Sequence, residues 1–248
     1  TVGIFVSSTE IGQGALTTLR KIVSQTLDIP IEQVKLTYPD TADCPDSGPT
    51  VASRTVMIVG RLLQECAIEM KQRWAEETFE VMKDYVYPEH LSWDSEKLAG
   101  NAYPEYSWGA NVVEVAVDPV TYEVETKGVW AVYDIGTPID EKIVQGQIEG
   151  GIMQGLGYAA MERLQTKEGN LLQDSLSEYL IPAAVDFPRI TLELIENPYA
   201  GGPFGAKGLG ELPMIGAAPA FAAAVEQAIG KKIDRIPVTP EYIRELMT

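Results

Sequence analysis

The chain has 248 residues, 45% of them hydrophobic and 22% charged, the composition of an ordinary globular protein long enough to bury a core without staples. With 19 Lys and Arg against 36 Asp and Glu, the formal net charge is −17, which argues against a nucleic-acid or anionic-membrane surface, since both need a basic patch. Two cysteines and one histidine leave no room for a disulfide scaffold, a four-cysteine zinc module or a histidine-rich metal site. No apolar run approaches the roughly 18 residues of a membrane span, and the expected location is the cytoplasm.

The chain opens on Thr1 inside a strand-like run, Thr1 to Ser7, with no initiator Met. The expectation is a piece of a longer protein or a processed subunit, with sequence upstream. A helical pattern follows Gly12-Gln13-Gly14, with Leu16, Leu19, Ile22, Val23 and Leu27 at three- and four-residue spacing. A second strand is expected over Val34 to Tyr38. Residues 39–51 read as loop from their Pro, Asp, Ser, Gly and Thr content. Ser53 is expected to cap a long helix with the stripe Val56, Val59, Leu63, Cys66, Met70 and Trp74. Residues 85–106 carry no period and read as a connector. Two strands, Trp108 to Val117 and Val124 to Asp134, flank the turn sequence Asp118-Pro119-Val120-Thr121. A glycine-rich helix spans about Glu141 to Met161. Gly150, Gly151, Gly155 and Gly157 each cost about 1 kcal/mol there relative to Ala, so close packing or a ligand should compensate. A strand over Arg189 to Ile195 and an Ala-rich helix over Pro213 to Ile229 complete the pattern. The mixed order predicts an α+β (mixed α/β) fold, with possible subdomains over 1–100 and 101–248.

Short motifs stand out against this frame. Gly12-Gln13-Gly14 joins a strand to a helix, a position that suits an anion, because a helix start leaves N–H groups unpaired. Thr17 stands where a dinucleotide fingerprint needs its third glycine. A tight turn is the plainer reading. Gly48 to Thr55 is a polar loop entering a helix, whose amides and hydroxyls suit a phosphate or simply cap the helix. Gly201 to Glu211 is glycine-rich and ends on a carboxylate at the mouth of a helix. It lacks the Gly-Lys-Ser/Thr of a P-loop, because Ala206 precedes Lys207 and Gly208 follows it. Such backbone would wrap a rigid ligand closely; a flexible loop is the alternative.

Taken together, Glu10-Ile11-Gly12-Gln13-Gly14, Asp40-Thr41, Thr50-Val51-Ala52-Ser53-Arg54, Gln147 to Gly157, Gly205 to Glu211 and Thr239-Pro240-Glu241 resemble the molybdenum hydroxylase family. Its members include xanthine dehydrogenase, aldehyde oxidoreductase, nicotinate dehydrogenase and aerobic carbon monoxide dehydrogenase. The resemblance covers nearly all of residues 1–248 and corresponds to the C-terminal half of the molybdopterin-binding subunit. It implies a molybdopterin, in mononucleotide or dinucleotide form, carrying molybdenum. It implies an oxidoreductase that inserts water-derived oxygen at a C–H carbon of an N-heterocycle, purine or aldehyde, with Glu211 as general base. Gln13, Gly14, Ala52, Ser53, Arg54, Gln154, Lys207 and Gly208 fall at cofactor-binding positions, and no side chain is assigned as a metal ligand. Implied partners are the N-terminal half of the molybdenum subunit, iron–sulfur and flavin (FAD) subunits, and a small-molecule substrate, with no nucleic acid and no membrane. The alternatives are a non-catalytic module of the same fold without cofactor, and an unrelated nucleotide-binding enzyme, which the missing phosphate-loop signatures disfavour.

Overall fold

A computed structural model describes residues 1–36, 38–75 and 78–248. The chain forms two compact units. The first comprises Thr1–Ser107, Asp134–Val144 and Ile195–Gly210, and the second Trp108–Tyr133, Gln145–Leu194 and Glu211–Thr248. Helices and sheets are mixed throughout, as the α+β reading requires.

The first unit is built on a β-α-β element. Strand β1 (Val2–Ile4) leads to helix α1 (Ala15–Leu27), and β2 (Val34–Leu36) returns parallel to β1 with Val2 opposite Val34. The continuation of β2 expected at Thr37 lies outside the described residues. The apolar stripe of α1 is the core: Leu19, Ile22, Val23 and Leu27 pack with Val2, Ile4, Val6, Val34 and Val59. Arg20 fastens α1 to the returning strand, donating to the carbonyls of Val34 and Ile31 at 2.9 Å each.

The helix after the polar loop starts differently from expectation. Residues Thr55–Val59 form one wide π-type turn before α2 (Gly60–Gln72). The N-cap residue is Arg54 rather than the expected Ser53, which stands just before it at φ +54°. The stripe Val56, Val59, Leu63 and Met70 does pack on the core, but α2 ends before Trp74, which is half exposed. The connector is also more structured than its composition suggests. It holds a hairpin of β3 (Ser92–Asp94) and β4 (Ala99–Asn101), too short to show a period.

The second unit carries a three-stranded sheet in the order β5 (Trp108–Val117), β6 (Val124–Asp134), β9 (Arg189–Ile195). The turn between β5 and β6 forms as its sequence predicts: one Asp118 carboxylate oxygen accepts from the N–H groups of Val120 and Thr121, at 2.7 and 2.8 Å. Helix α3 (Glu141–Ala160) is followed by a small hairpin, β7 (Thr166–Lys167) with β8 (Asn170–Leu171), that the sequence reading does not anticipate.

Helix α4 (Leu212–Ile229) covers β5 with the buried stripe Pro213, Ala217, Phe221 and Val225. Its 18 residues have a mean hydropathy of 1.3, so by length and composition it could cross a membrane, which corrects the sequence expectation. A stripe laid on a sheet is what a sheet-covering helix shows. The final helix α5 (Pro240–Met247) was not anticipated either. It starts on Thr239, whose hydroxyl accepts from Tyr242 N–H, with Pro240 in the first turn.

The glycines of α3 divide into two kinds. A Cβ at Gly151 would lie 2.9 Å from Pro213, one at Gly155 would lie 2.7 Å from the Met214 carbonyl, and one at Gly157 would strike Pro182. These three are compensated by packing. Gly146 and Gly150 meet nothing within 4 Å.

Candidate functional site

In the first unit, the Gly12-Gln13-Gly14 turn is organised by Glu10. Its Oε1 accepts from Gly12 N–H at 2.8 Å and Gly14 N–H at 3.0 Å, and its Oε2 accepts from Leu16 N–H at 3.0 Å. The anion at the start of α1 is therefore the chain's own carboxylate. Gly14 sits at φ +77°, a left-handed position that suits glycine, and a Cβ there would lie 2.9 Å from Ile143. Gln13 closes the same turn, donating to Thr9 O at 2.8 Å and accepting from Ile11 N–H at 2.7 Å.

The polar loop lies against this segment. Thr50 Oγ1 accepts from Thr9 N–H at 2.8 Å, and Ser7 and Ser47 each accept from the other's N–H, at 2.8 and 3.0 Å. Arg54 closes the loop by donating to the carbonyls of Ser47 and Pro49, at 2.8 and 3.2 Å. Between them Ala52 and Ser53 both hold positive φ, +51° and +54°. Left-handed backbone costs about 1–2 kcal/mol for a residue with a Cβ, and such strain concentrates where a backbone is shaped for a ligand.

The glycine-rich loop meets this strained turn. A Cβ on Gly208 would lie 2.6 Å from Ser53 O, and one on Gly210 would lie 3.3 Å from Ser53 Oγ. Gly208 O accepts from Ser107 Oγ at 2.5 Å. Lys207 points the other way. Its buried ammonium donates to Asp134 Oδ2 at 2.9 Å, and Asn197 Nδ2 donates to the same oxygen at 2.7 Å. Burial alone would raise the Asp134 carboxyl, but the Asn197 amide, the Lys207 ammonium and the Gly136 N–H together hold it below the ordinary carboxylate range.

The first unit holds Gln13 and Gly14, Ala52 to Arg54, and Lys207 with Gly208, and of these it sets Ser53 against Gly208. Gln154 and Glu211 belong to the second unit. Gln154 is exposed on α3 and lines a cavity of about 810 Å³ with Met153, Tyr158, Met214 and Ile215. Glu211 is exposed and is the N-cap residue of α4. Glu10 stands in the first sequence motif with no role assigned to it, and Ser107, Asp134 and Asn197 lie outside every motif. For Asp134 a signal exists: it is the one acidic residue in the run Val129 to Ile135, which otherwise reads as buried strand.

Among the described residues no group of three or more His, Cys, Asp or Glu is placed to hold a metal ion. The residues do fit a pterin cofactor. The turn at Ala52 and Ser53 is built from strained backbone, it is packed directly on Gly208, and the buried carboxylate Asp134 is neutralised by Lys207, so it sets no bare negative charge against an anionic group. Strained backbone of this kind is found where a chain is shaped for a ligand.

Comparison with known proteins gives the same answer. The family model of the molybdopterin cofactor-binding domain matches residues 1–87 and 74–188. The chain belongs to this family. It is 30% identical to a probable xanthine dehydrogenase component of Bacillus subtilis (strain 168), over 95% of this chain and 36% of that protein. It is 28% identical to the gamma component of the 6-hydroxypseudooxynicotine dehydrogenase complex of Paenarthrobacter nicotinovorans, over 98% of this chain and 35% of that one. The crystal structure of the aldehyde oxidoreductase from Desulfovibrio desulfuricans superposes with a TM-score of 0.89 at 26% identity, over 99% of this chain and 29% of that chain. The chain therefore spans about a third of the length of the curated relatives it matches.

Proposed function

We propose that the chain is the C-terminal, cofactor-binding part of a molybdenum hydroxylase subunit that inserts water-derived oxygen at a C–H carbon of an N-heterocycle, purine or aldehyde. The observation that carries this reading is the seating of the Gly205–Gly210 loop on the strained turn at Ser53, in a chain of the molybdopterin-binding family. Molybdopterin, when bound, supplies the metal centre for oxygen transfer and electron uptake. The chain's own residues supply the seat and the proton acceptor. Ala52, Ser53 and Gly208 offer backbone and a hydroxyl to the pterin and its phosphate or nucleotide extension. Arg54, Gln13 and Gly14 fix the shape of that seat through the loop bonds described above. The Gln154 amide can donate and accept, which suits a pterin edge or a polar ligand. Glu211, an exposed carboxylate at a helix N-cap, accepts a proton when ionised and within hydrogen-bond reach of the group that loses it.

The same reading assigns the partners and the compartment. Iron–sulfur and flavin subunits take the electrons onward, and the remaining part of the molybdenum subunit completes the site; one relative is by name part of a dehydrogenase complex. Two free cysteines, Cys44 and Cys66, suit the reducing cytoplasm. The test is Glu211→Gln in the complete enzyme, assayed with xanthine, an aromatic aldehyde and nicotinate against a dye acceptor. Turnover should fall at least about 100-fold, the usual worth of a general base, with molybdopterin still bound. Normal turnover would remove Glu211 from the mechanism. An assembly that lacks cofactor would favour the non-catalytic module instead.

A further inference from the structure

We propose that Asp134 is a positioning residue for the cofactor seat: by holding the Lys207 ammonium it keeps Gly208 on Ser53, and Lys207 serves the loop instead of binding a phosphate. The inference rests on the reading that Ser53 and Gly208 form part of the pterin seat. Its first support is burial. The side chains of Lys207 and Asp134 are only 3% and 8% exposed, and their contact is 2.9 Å. A cation this deep needs a partner, and removing one leaves the other charged and unpaired. Asp134 is fully engaged as well, with Oδ2 taking Lys207 and Asn197 and Oδ1 taking Gly136 N–H at 3.1 Å. Lys207 cannot turn to a phosphate without stranding that carboxylate.

The second support is the backbone on either side of the pair. Lys207 N–H donates to Ile135 O at 2.8 Å, Thr137 N–H donates to Gly205 O at 3.1 Å, and Gly136 bridges to Ala206. The segments around Asp134 and Lys207 are thus laced together beside the ion pair. The next residue is Gly208, clamped between Ser107 Oγ and the Ser53 backbone. A line of contacts runs from Asp134 through Lys207 and Gly208 to Ser53. It ends on a residue of the proposed seat, while Asp134 itself touches no part of it.

A phosphate ligand and a positioning pair differ in how their losses combine. The experiment uses the native assembly with Asp134→Asn, Lys207→Met and the double variant. Pterin retained per chain after gel filtration is read by the fluorescence of its oxidised form, and circular dichroism checks the fold. Each single variant should lose pterin at least about tenfold faster than wild type, to a similar degree, and the double variant should be no worse than either, because residues acting as one unit are non-additive. Lys207→Arg, which keeps the pair, should restore retention. Loss in Lys207→Met with full retention in Asp134→Asn would make Lys207 a direct ligand and overturn the proposal, as would full retention in both. Should a single variant fail to fold, Gly208→Ala moves Gly208 off Ser53 without touching the pair. It should lose pterin, and full retention would overturn the proposal. A wild-type assembly without pterin sinks the functional reading itself; a loaded wild type with an equally loaded Asp134→Asn sinks only this inference.

Discussion

Glu10 and Asp134 are carboxylates whose work is done inside the protein. Glu10 supplies acceptors for the N–H groups of Gly12, Gly14 and Leu16, at the point where a helix is short of partners. Glu10→Ala should lower unfolding stability by about 1 kcal/mol, the usual worth of a helix cap; an unchanged denaturant midpoint would contradict this role. Asp134 leads to a pH dependence. Its carboxyl is held below its ordinary value in the folded chain. A group depressed in this way adds stability that is present above its unfolded value of about 3.9 and is lost as pH falls through its folded value. The stability of Asp134→Asn should therefore depend less on pH below about pH 5 than that of wild type. Equal slopes in denaturation series would exclude a coupled Asp134. The sequence flags Asp134 only as a lone acid in an apolar run, and it gives no sign of what Glu10 does. A cap that reaches forward from Glu10 to Leu16 has no fixed motif, and Asp134 meets Asn197 and Lys207 only once residues more than sixty positions apart are folded together.

At the scale of elements, periodicity carried most of the reading. The stripe of α1 and the β5–β6 turn follow directly from apolar spacing and turn residues, and strand β9 and the Ala-rich helix α4 form where the sequence places them. What spacing could not supply was the π-type turn at Thr55–Val59, and the short hairpins, which have too few residues to show a period. The glycines of α3 separate local preference from packing. Gly146→Ala should gain up to about 1 kcal/mol, because Ala is the better helix former and its Cβ meets open space. Gly155→Ala gains the same preference but drives a Cβ to 2.7 Å from Met214 O and 2.8 Å from Ala217 Cβ. Overpacking of this kind typically costs about 1–3 kcal/mol, so after that gain a net loss of up to about 2 kcal/mol is expected. Thermal denaturation of the two variants should move in opposite directions; a shared direction would mean that α3 and α4 do not make this contact.

Across the whole molecule, composition set bounds and the motifs set the family. A net charge of −17 and two cysteines described a globular acidic protein and no more. The ordered set of short motifs pointed to molybdopterin binding, and the family match over residues 1–87 and 74–188 shows it. The candidate site was partly legible. Ser53 and Gly208, far apart in sequence, lie in contact, while the hold on Lys207 was visible only after folding. On the proposed function, the chain carries a redox cofactor as part of a larger enzyme. The measurement that tests it most directly is the molybdenum and pterin content, per copy of this chain, of the assembly isolated from its native source. Close to one of each is expected. Neither, in an assembly with all its subunits present, would leave the fold standing and contradict the enzymatic reading.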